Sequence, residues 1–394
     1  MEPTYIKFQK FIKSTQYGYT ADETSTESGD CKYLRITDIV PYFVDKDHVP
    51  YCKIAEGKKS QYIVSNGDLL IARTGATTGY NLVIDDSFNN FIFASYLIRF
   101  NLDKNKLYPL FVKYVLKSKS WYGFVNNYVG GSAQPGMNAR VFGKFDFPYL
   151  PLPTQRRIAS ILSSYDALIQ NYKRQIAALQ SAASELYKEW FVRFRFPGYK
   201  NAKFDNGLPE GWKYLTLNEI ANVVMGQSPE SCYYNDNKNG LPFHQGAGSY
   251  GDFYLIDGIY STEGLRIAEP GSIIFSVRAP VGKLNITINK IILGRGVAAI
   301  NSKEKKNGFL FWSLKTKFSK EDMIGNGSVF ASVTKDELLK QKLLIPTNPV
   351  LNQYDEFASN IEKKIRCLYL QITNLTTQRD LLLPRLMSGK LSVE

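Results

Sequence analysis

The chain has 394 residues, of which 44% are hydrophobic and 22% are charged. This length exceeds the usual size of one hydrophobic core, so we expect two domains with connecting elements. Its apolar runs stay well short of the roughly 20 residues that a membrane-spanning helix needs. The N-terminal residues lack a basic stretch followed by an apolar core, so no secretory signal is expected. The composition therefore predicts a soluble, cytoplasmic protein without a membrane partner.

The charge balance is strongly basic. The 49 Lys and Arg residues outnumber the 36 Asp and Glu residues, which leaves a formal charge of +13. Such an excess favours a polyanionic partner, although charge alone does not decide between DNA, RNA and no nucleic acid. The four cysteines, Cys31, Cys52, Cys232 and Cys367, form no CxxC pair. This spacing argues against a zinc site and against a dense disulfide framework.

The second half of the sequence repeats the pattern of the first half. Residues 67–79 join an apolar strand to a Gly/Thr loop, and residues 271–282 repeat that pattern. Gly131-Ser132 precedes Asn138 just as Gly327-Ser328 precedes Thr334, and a proline-punctuated apolar strand follows in both halves. Self-similarity on this scale indicates an internal duplication. Within each half, short strands rich in Ile, Val, Tyr and Phe alternate with turns, which predicts an α+β block.

A long segment with helical periodicity follows each block. Apolar residues recur there at spacings of three and four, and the stripes are narrow, as in a coiled-coil seam. A helix of about 35 residues is roughly 50 Å long, too long to be wrapped by a small domain. We therefore predict that the two helices pack as an antiparallel coiled coil; alternatively, each helix buries its stripe against its own block. The predicted seam residues are Ile161, Leu168, Tyr172, Ile176, Leu179, Leu186, Ile361, Ile365, Leu368, Ile372, Leu375 and Leu382.

These patterns predict four consecutive segments with pseudo-two-fold symmetry. The first globular domain spans 1–150, a central spacer helix 151–196, the second globular domain 197–348, and a C-terminal spacer helix 349–394. Pro384 lies inside the last helical pattern. Because proline lacks a backbone donor and clashes with the preceding turn, we expect it to end or kink that helix near Leu383.

Motifs for catalysis are missing from this sequence. Residues 146–149 lack the first proline of the Asn/Asp-Pro-Pro-aromatic corner of adenine methyltransferases, and no methyl-donor loop accompanies them. The GxGxxG of residues 246–251 precedes a strand-like run, whereas a dinucleotide-binding loop opens a helix. No Gly-Lys pair is followed by Ser or Thr, so no ATP-binding loop is expected. His48 and His244 are interpreted as turn or surface residues, and no metal site is predicted.

Five segments carry a resemblance to a known family. They are residues 33–39 (Tyr-Leu-Arg-Ile-Thr-Asp-Ile), 67–79, 93–99, 208–212 (Leu-Pro-Glu-Gly-Trp) and 378–391 (Gln-Arg-Asp-Leu-Leu-Leu-Pro-Arg-Leu-Met-Ser-Gly-Lys-Leu). Together with the duplication, they resemble the specificity subunits of type I restriction-modification enzymes. The resemblance spans the whole chain, and the last segment is the most specific. One departure is that the first block lacks the Pro-Glu-Gly-Trp opening of the second.

The resemblance implies a DNA-binding subunit without a catalytic centre. Its two globular blocks would be target-recognition domains, each reading one half of a bipartite, asymmetric site in double-stranded DNA. The helices would space the blocks and dock two methyltransferase subunits, through which restriction subunits join. S-adenosylmethionine, ATP and Mg would then belong to partner chains, as would adenine-N6 methylation and endonuclease activity.

Basic and polar residues near the predicted loops are candidates for DNA contact. Phosphate contacts position a protein on DNA, whereas contacts to base edges specify the sequence. The phosphate candidates are Lys58, Lys59, Lys283 and Arg295. The base-reading candidates are Gln61, Arg73, Thr74, Gln134, Asn138, Gln245 and Arg278.

Two other classes of function stay open from the residues alone. One is a self-contained DNA methyltransferase or nuclease, which would bind a methyl donor or cleave DNA by itself. The other is a coiled-coil adaptor between two proteins, which would show no salt-sensitive or sequence-dependent DNA binding.

Overall fold

The computed structural model describes residues 2–22, 24–55, 57–129, 136–318, 332–391 and 393. The chain divides into two compact units. The first comprises residues 1–171 together with 371–394, and the second comprises residues 172–370. Among the described residues, no helix is both long and apolar enough to cross a membrane.

The first unit contains an α+β block. Its strands are β1 (Thr4–Lys7), β2 (Ile12–Tyr17), β3 (Thr24–Ser25), β4 (Cys31–Leu34), β5 (Tyr51–Cys52), β6 (Leu69–Ala72), β7 (Asn81–Val83), β8 (Phe91–Phe93), β9 (Leu97–Leu102) and β10 (Asp146–Tyr149). Its helices are α1 (Ile36–Ile39), α2 (Lys59–Tyr62), α3 (Pro109–Val115), α4 (Lys119–Val129) and α5 (Ala139–Phe142). One sheet has the order β2-β9-β6-β7, another has the order β3-β5-β4-β8, and β1 pairs with β10.

Strand β6 lies between two hydrophobic cores of the first block. Leu69 and Ile71 join the core that includes Phe100 and Trp121, whereas Leu70 and Ala72 join the core on the opposite face. Side chains alternate across a strand, so a strand buried on both faces is apolar at every position. The run Leu-Leu-Ile-Ala is the sequence signature of this central position, and it fixes the loop that begins at Arg73.

A long helix, α6 (Leu152–Phe191), follows the first block and continues into the second unit. The second block has strands β11 (Phe204–Asp205), β12 (Leu208–Pro209), β13 (Lys213–Thr216), β14 (Ala221–Met225), β15 (Tyr234–Asn235), β16 (Leu241–His244), β17 (Tyr260–Ser261), β18 (Ile267–Ala268), β19 (Ile273–Ser276), β20 (Leu284–Ile286), β21 (Ile291–Leu293), β22 (Val297–Ser302) and β23 (Lys342–Ile345). Its helices are α7 (Leu217–Ile220), α8 (Asn307–Lys317) and α9 (Lys335–Leu339), and α10 (Asn348–Met387) follows.

The duplication predicted from the sequence is confirmed by the strand orders. In the second block the order β14-β22-β19-β20 repeats β2-β9-β6-β7 of the first, and β15-β17-β16-β21 repeats β3-β5-β4-β8. In both blocks the last two strands of the second set are parallel. Helices α6 and α10 have 40 residues each. Both their first residues, Leu152 and Asn348, and their last residues, Phe191 and Met387, lie 196 positions apart.

Each unit holds one part of α6 and one part of α10. In the first unit, Ile158 and Leu162 of α6 and Leu386 of α10 belong to the core of the first block. In the second unit, the Tyr354 hydroxyl donates to the carbonyl oxygen of Ala183 at 2.9 Å, and the Tyr354 ring contacts that of Trp190. Both helices thus bury part of their stripes against the globular blocks as well as contacting one another.

The predicted seam is wrong at two positions of α6. Ile161 and Leu168 have exposed fractions of 38% and 43%, whereas the next residues, Leu162 and Ile169, are buried. The error arose because the buried face of α6 includes two polar residues, Gln155 and Asp166. A search for apolar residues at helical spacing does not count them. The remaining seam residues are buried or half-buried: Tyr172, Ile176, Leu179, Leu186, Ile361, Ile365, Leu368, Ile372, Leu375 and Leu382.

A buried ionic cluster joins α6 to α10 in the first unit. The Arg379 guanidinium donates to Asp166 Oδ1 at 2.9 Å, while Lys113 Nζ and the Tyr114 hydroxyl donate to Oδ2 at 2.7 and 2.9 Å. Burial opposes ionisation of Asp166, but Lys113, Arg379 and Tyr114 together outweigh it, and the pKa of the carboxyl is lowered. Asp166 is therefore an ionised carboxylate whose charge and hydrogen bonds are satisfied by α3 of the first block and by α10.

The prediction that Pro384 could end the last helix near Leu383 is wrong. Helix α10 continues through this residue to Met387, and the Ser388 amide donates to the Pro384 carbonyl. A proline inside a helix loses one backbone hydrogen bond. Here the turn that follows places Leu386 and Met387 in the core of the first block. Their burial offsets the missing bond.

Candidate DNA interface

The loop after β6 is a closed turn that projects from the centre of the first block. The Gly79 amide donates to the Ala72 carbonyl at 2.9 Å, and the Thr78 hydroxyl donates to the Gly75 carbonyl at 2.7 Å. A Cβ atom on Gly79 would lie 2.7 Å from the Val125 side chain, so only glycine fits there. These contacts fix the backbone of residues 73–80 without using the side chains of Arg73 and Thr74.

Arg73 is oriented by an aromatic residue at the end of β2. Its guanidinium carbon lies 4.9 Å from the centroid of the Tyr17 ring. The Arg73 Nε atom is buried and has no hydrogen-bond partner among the described residues. An arginine that stacks on an aromatic face loses little side-chain entropy when it binds. Arg73 is therefore an oriented, half-buried cation whose Nε donor is unused among the described residues.

The loop after β19 has the same frame in the second block. The Gly282 amide donates to the Ser276 carbonyl at 3.0 Å, and the Val277 amide donates to the Gly296 carbonyl at 2.9 Å. In the first block, the Arg73 amide donates to the Tyr96 carbonyl at 3.0 Å. Val277 is thus the structural counterpart of Arg73.

Thr74 is the structural counterpart of Arg278, because a bridge joins Thr74 to Gly136 and another joins Arg278 to Ser332. The same comparison relates two further pairs of positions. Leu34 and Phe93 are register partners in the first block, as His244 and Leu293 are in the second. Arg35 therefore corresponds to Gln245, and Ser95 to Arg295.

We call Tyr17, Arg35, Arg73, Thr74, Ser95 and Tyr96 the first loop edge, and Gln245, Arg278 and Arg295 the second loop edge. They occupy corresponding places in the two blocks.

The structure brings three sequence candidates together at the second loop edge. A Cβ atom on Gly296 would lie 2.2 Å from the carbonyl oxygen of Gln245, so glycine permits this close approach. The Arg295 amide donates to Ser228 Oγ at 3.1 Å, which fixes the backbone beside Gln245. Arg278, Gln245 and Arg295 are all exposed. Arginine and glutamine are side chains that pair with base edges in the major groove.

The other residues predicted to contact DNA are not part of the two loop edges. Lys59 Nζ donates to the Asp30 carbonyl at 3.0 Å, whereas Lys58 is exposed. The Asn138 side chain caps helix α5 by accepting from the Val141 amide at 3.0 Å. Gln61 is exposed, and its carbonyl accepts from Gln16 next to Tyr17. Lys283 is exposed beside the second loop. Gln134 lies outside the described residues.

Sequence reasoning missed the side chains of Tyr17, Arg35 and Tyr96. The Arg35 guanidinium donates to Asp38 through Nε and Nη2, both at 3.0 Å, which fixes its plane. Tyr17 and Tyr96 are exposed aromatic residues. Arg35 belongs to the segment 33–39 that the resemblance already used, and aligning this segment with residues 243–249 would have pointed to it.

His244 is not the surface residue that the sequence predicted. It is 1% exposed; its Nδ1 lies 2.8 Å from Ser249 Oγ, and its Nε2 lies 2.9 Å from Asp257 Oδ1. Burial opposes ionisation of Asp257, but hydrogen bonds from His244 and Asn289 outweigh it and lower the pKa of that carboxyl. His48, by contrast, is exposed beside Asp45, as expected.

Replacing His244 with leucine is expected to cost about 1–3 kcal/mol of stability, because Ser249 and the half-buried Asp257 lose their partner. Hydrogen exchange measured by mass spectrometry should rise in residues 245–257. The matched control is His48→Leu, since His48 Nδ1 lies 2.8 Å from Asp45 but is exposed, so its loss should stay within about 0.5 kcal/mol. Equal effects of the two substitutions would contradict the assigned role of His244.

Within the described part of the chain, no group of three or more His, Cys, Asp or Glu side chains is arranged to hold a metal ion. The side chains at the two loop edges are of the kind used in recognition. They present exposed or half-buried guanidinium and amide groups on backbones that are fixed by hydrogen bonds.

Comparison with known proteins places this architecture in a class. Residues 10–181 and 209–373 match the family model of the type I restriction modification DNA specificity domain. The chain is 28% identical over 344 residues to the putative type I restriction enzyme MjaX specificity subunit of Methanocaldococcus jannaschii, covering 85% of this chain and 73% of that protein. It is 25% identical over 311 residues to the MjaIX specificity subunit of the same organism, covering 74% and 71%.

A solved structure shares the fold. The crystal structure of the type I restriction-modification system S subunit from M. genitalium matches with a TM-score of 0.59 and 16% identity, covering 98% of this chain and 99% of that one. The chain is thus a duplicated, two-block protein of the DNA-specificity class. It belongs to the family of type I restriction-modification specificity subunits, and the resemblance inferred from its sequence is confirmed.

Proposed function

We propose that this chain reads a bipartite, asymmetric site in double-stranded DNA, with each globular block acting as the target-recognition domain for one half-site. The observation that supports this most directly is the pair of loop edges. Their backbones are held by equivalent hydrogen bonds, but Thr74 corresponds to Arg278, Arg35 to Gln245, and Ser95 to Arg295. The two blocks thus have the same backbone arrangement but different side chains, and such a pair is suited to reading two different base sequences.

Helices α6 and α10 form an antiparallel coiled-coil spacer in this proposal. Its support comes from contacts inside each unit. Asp166 of α6 contacts Arg379 of α10 in the first, and Ala183 contacts Tyr354 in the second. Residue numbers rise along one helix as they fall along the other. The length of such a spacer would set the separation of the half-sites, as it does in other paired readers.

The chain itself is non-catalytic in this proposal and assembles with catalytic partners in the cytoplasm. Two methyltransferase subunits dock on it, and restriction subunits join through them. S-adenosylmethionine, ATP and Mg are bound by those partners, which carry out adenine-N6 methylation and cleavage. The basic excess of the sequence supplies a salt-dependent affinity for the DNA backbone.

Co-expression with the methyltransferase subunit encoded beside it tests the proposal. Sequencing of N6-methyladenine in the host DNA should reveal a two-part motif only when both chains are present. Methylation by this chain alone would make it an enzyme. Absence of both methylation and stable association would favour a protein adaptor, and either outcome would overturn the proposal.

A further inference from the structure

The first unit contains an apolar cavity of about 600 Å³ between the first block and the C-terminal part of α10. Its walls are largely aromatic and aliphatic and include Tyr42, Tyr122 and Leu383. Lys117 lines the cavity, and its Nζ atom lies 4.6 Å from the centroid of the Tyr42 ring.

The second unit contains a cavity of about 460 Å³ beside the second loop. Lys315 lines it, and its Nζ atom lies 5.1 Å from the centroid of the Trp312 ring. Tyr250 also lines this cavity, and its hydroxyl is buried without a hydrogen-bond partner among the described residues. The second cavity thus combines an amine over an aromatic face with an unused polar atom.

The two cavities are equivalent under the duplication. Leu116-Lys117-Ser118-Lys119 aligns with Leu314-Lys315-Thr316-Lys317, and Ser118 and Thr316 line their respective cavities. On the long helices, Ser184 and Lys188 line the second cavity, and the residues 196 positions later, Asp380 and Pro384, line the first. An accidental packing defect is not expected to recur at equivalent residues of two blocks whose sequences have diverged.

Among the described residues, no carboxylate oxygen lies within ion-pair distance of either lysine, although each lysine is partly withdrawn from water and Asp380 and Asp252 line the respective cavities. Burial, with a smaller contribution from Lys113, lowers the pKa of Lys117 to about 8, and burial lowers the pKa of Lys315. A desolvated ammonium group costs free energy unless an opposite charge offsets it. Each cavity therefore offers an amine without a close counter-charge, next to apolar surface.

We propose that the Lys117 and Lys315 cavities are equivalent docking sites, each of which receives the same segment of a methyltransferase subunit, with an aspartate or glutamate beside an apolar side chain. This inference rests on the proposed function, which gives the chain two copies of one methyltransferase partner. Two equivalent cavities fit two identical occupants. A carboxylate pairs with each amine, and the neighbouring apolar side chain fills the aromatic and aliphatic part of the cavity.

Lys117→Met, Lys315→Met and the double variant test this proposal in complexes with the neighbouring methyltransferase subunit. Methionine keeps an apolar side chain of similar length but removes the charge. Native mass spectrometry should show two methyltransferase copies on the unchanged chain, one on either single variant and none on the double variant at matched concentration. The affinity of each altered site should fall about 30-fold or more. Lys144→Met and Lys305→Met, at exposed lysines that line neither cavity, are the controls and should retain two copies.

Zero-length carbodiimide coupling of the unchanged complex gives an independent readout, because it joins an amine only to a carboxylate in direct contact. Lys117 and Lys315 should become linked to one and the same acidic position of the methyltransferase sequence. Hydrogen exchange of the uncomplexed variants should match that of the unchanged chain, which separates lost docking from lost folding.

The outcomes distinguish this proposal from the proposed function. Two copies retained at full affinity on both single variants, without coupling at either lysine, would overturn the docking sites and leave the DNA-reading role intact. An unchanged chain that binds no methyltransferase subunit would overturn the proposed assembly and this inference with it.

Discussion

Replacing Asp166 with asparagine should lower the free energy of unfolding of the first unit by about 3–5 kcal/mol, the usual cost of breaking a buried charge pair by removing one partner. The side chains of Asp166 and Arg379 are only 8% and 7% exposed, so water cannot take over the lost interaction. Lys113, at 2.7 Å from Asp166, would lose its counter-charge as well. The substitution thus leaves Lys113 without its counter-charge and Arg379 with only the exposed Asp380.

Urea titration followed by hydrogen exchange mass spectrometry measures this effect separately in residues 1–171 with 371–394 and in residues 172–370. Asp380→Asn is a matched control, because Asp380 accepts from the same guanidinium at 2.8 Å but its side chain is 59% exposed. Exposed pairs contribute about 0–1 kcal/mol, so this control should change little. Equal losses of unfolding free energy for Asp166→Asn and Asp380→Asn would show that burial does not determine the contribution of Asp166 to stability.

The same cluster predicts a dependence on pH. An aspartate in an unfolded chain has a pKa of about 3.9, and the folded-state pKa of Asp166 is lowered. The stability that its ionised form contributes is therefore present above the unfolded-state pKa and is lost as the pH falls through the folded-state pKa. In acid, the difference between the unchanged chain and Asp166→Asn should shrink.

Replacing Arg278 with alanine should relax the second half-site of the target by about 1–3 kcal/mol at one base pair and leave the first half-site unchanged. Arg278 is exposed at the second loop edge, and its backbone is held by the bridge to Ser332. Removing its guanidinium takes away donors without disturbing the loop. The reciprocal change, Arg73→Ala, should relax the first half-site alone.

Competition binding against DNA with single-base changes in each half-site measures both effects, once methylation sequencing has given the motif. Arg174→Ala, at an exposed position on α6, is a charge-matched control. It should weaken binding little and equally for all sequences, because it removes charge without removing a base contact. If Arg278→Ala also weakened binding without altering base preference, Arg278 would be a phosphate contact.

The duplicated architecture was accessible from the sequence because repeats and apolar periodicity survive as patterns. The run Leu69–Ala72 was predicted as an apolar strand, and the helical stripes predicted α6 and α10 to within a few residues. Stripe reasoning failed at Ile161 and Leu168 because Asp166 occupies the buried face, where its partner Arg379 lies 213 positions away in the chain. A pairing of that range leaves no local signal.

The candidate interface was less accessible. Arg73, Gln245 and Arg278 stood out because they adjoin glycine-rich or strand-ending segments, but nothing local showed that Gln245 lies against Gly296. Burial of His244 was missed for the same reason, since Ser249 and Asp257 become its partners only when residues 245–257 fold back on β16. Loop geometry depends on contacts between distant segments, which a single sequence does not display.

The first unit combines residues 1–171 with residues 371–394, so the ribosome supplies its two parts at different times. This unit needs residues 371–394, which are synthesised after residues 172–370, so Asp166 pairs with Arg379 and Leu386 joins the first core only after that delay. At about 5–20 residues per second, a ribosome takes roughly 10–40 s to cover that distance. Residues 172–370 are translated within that interval. The first block can therefore be completed only after the second block has been translated, and until then it lacks part of its core.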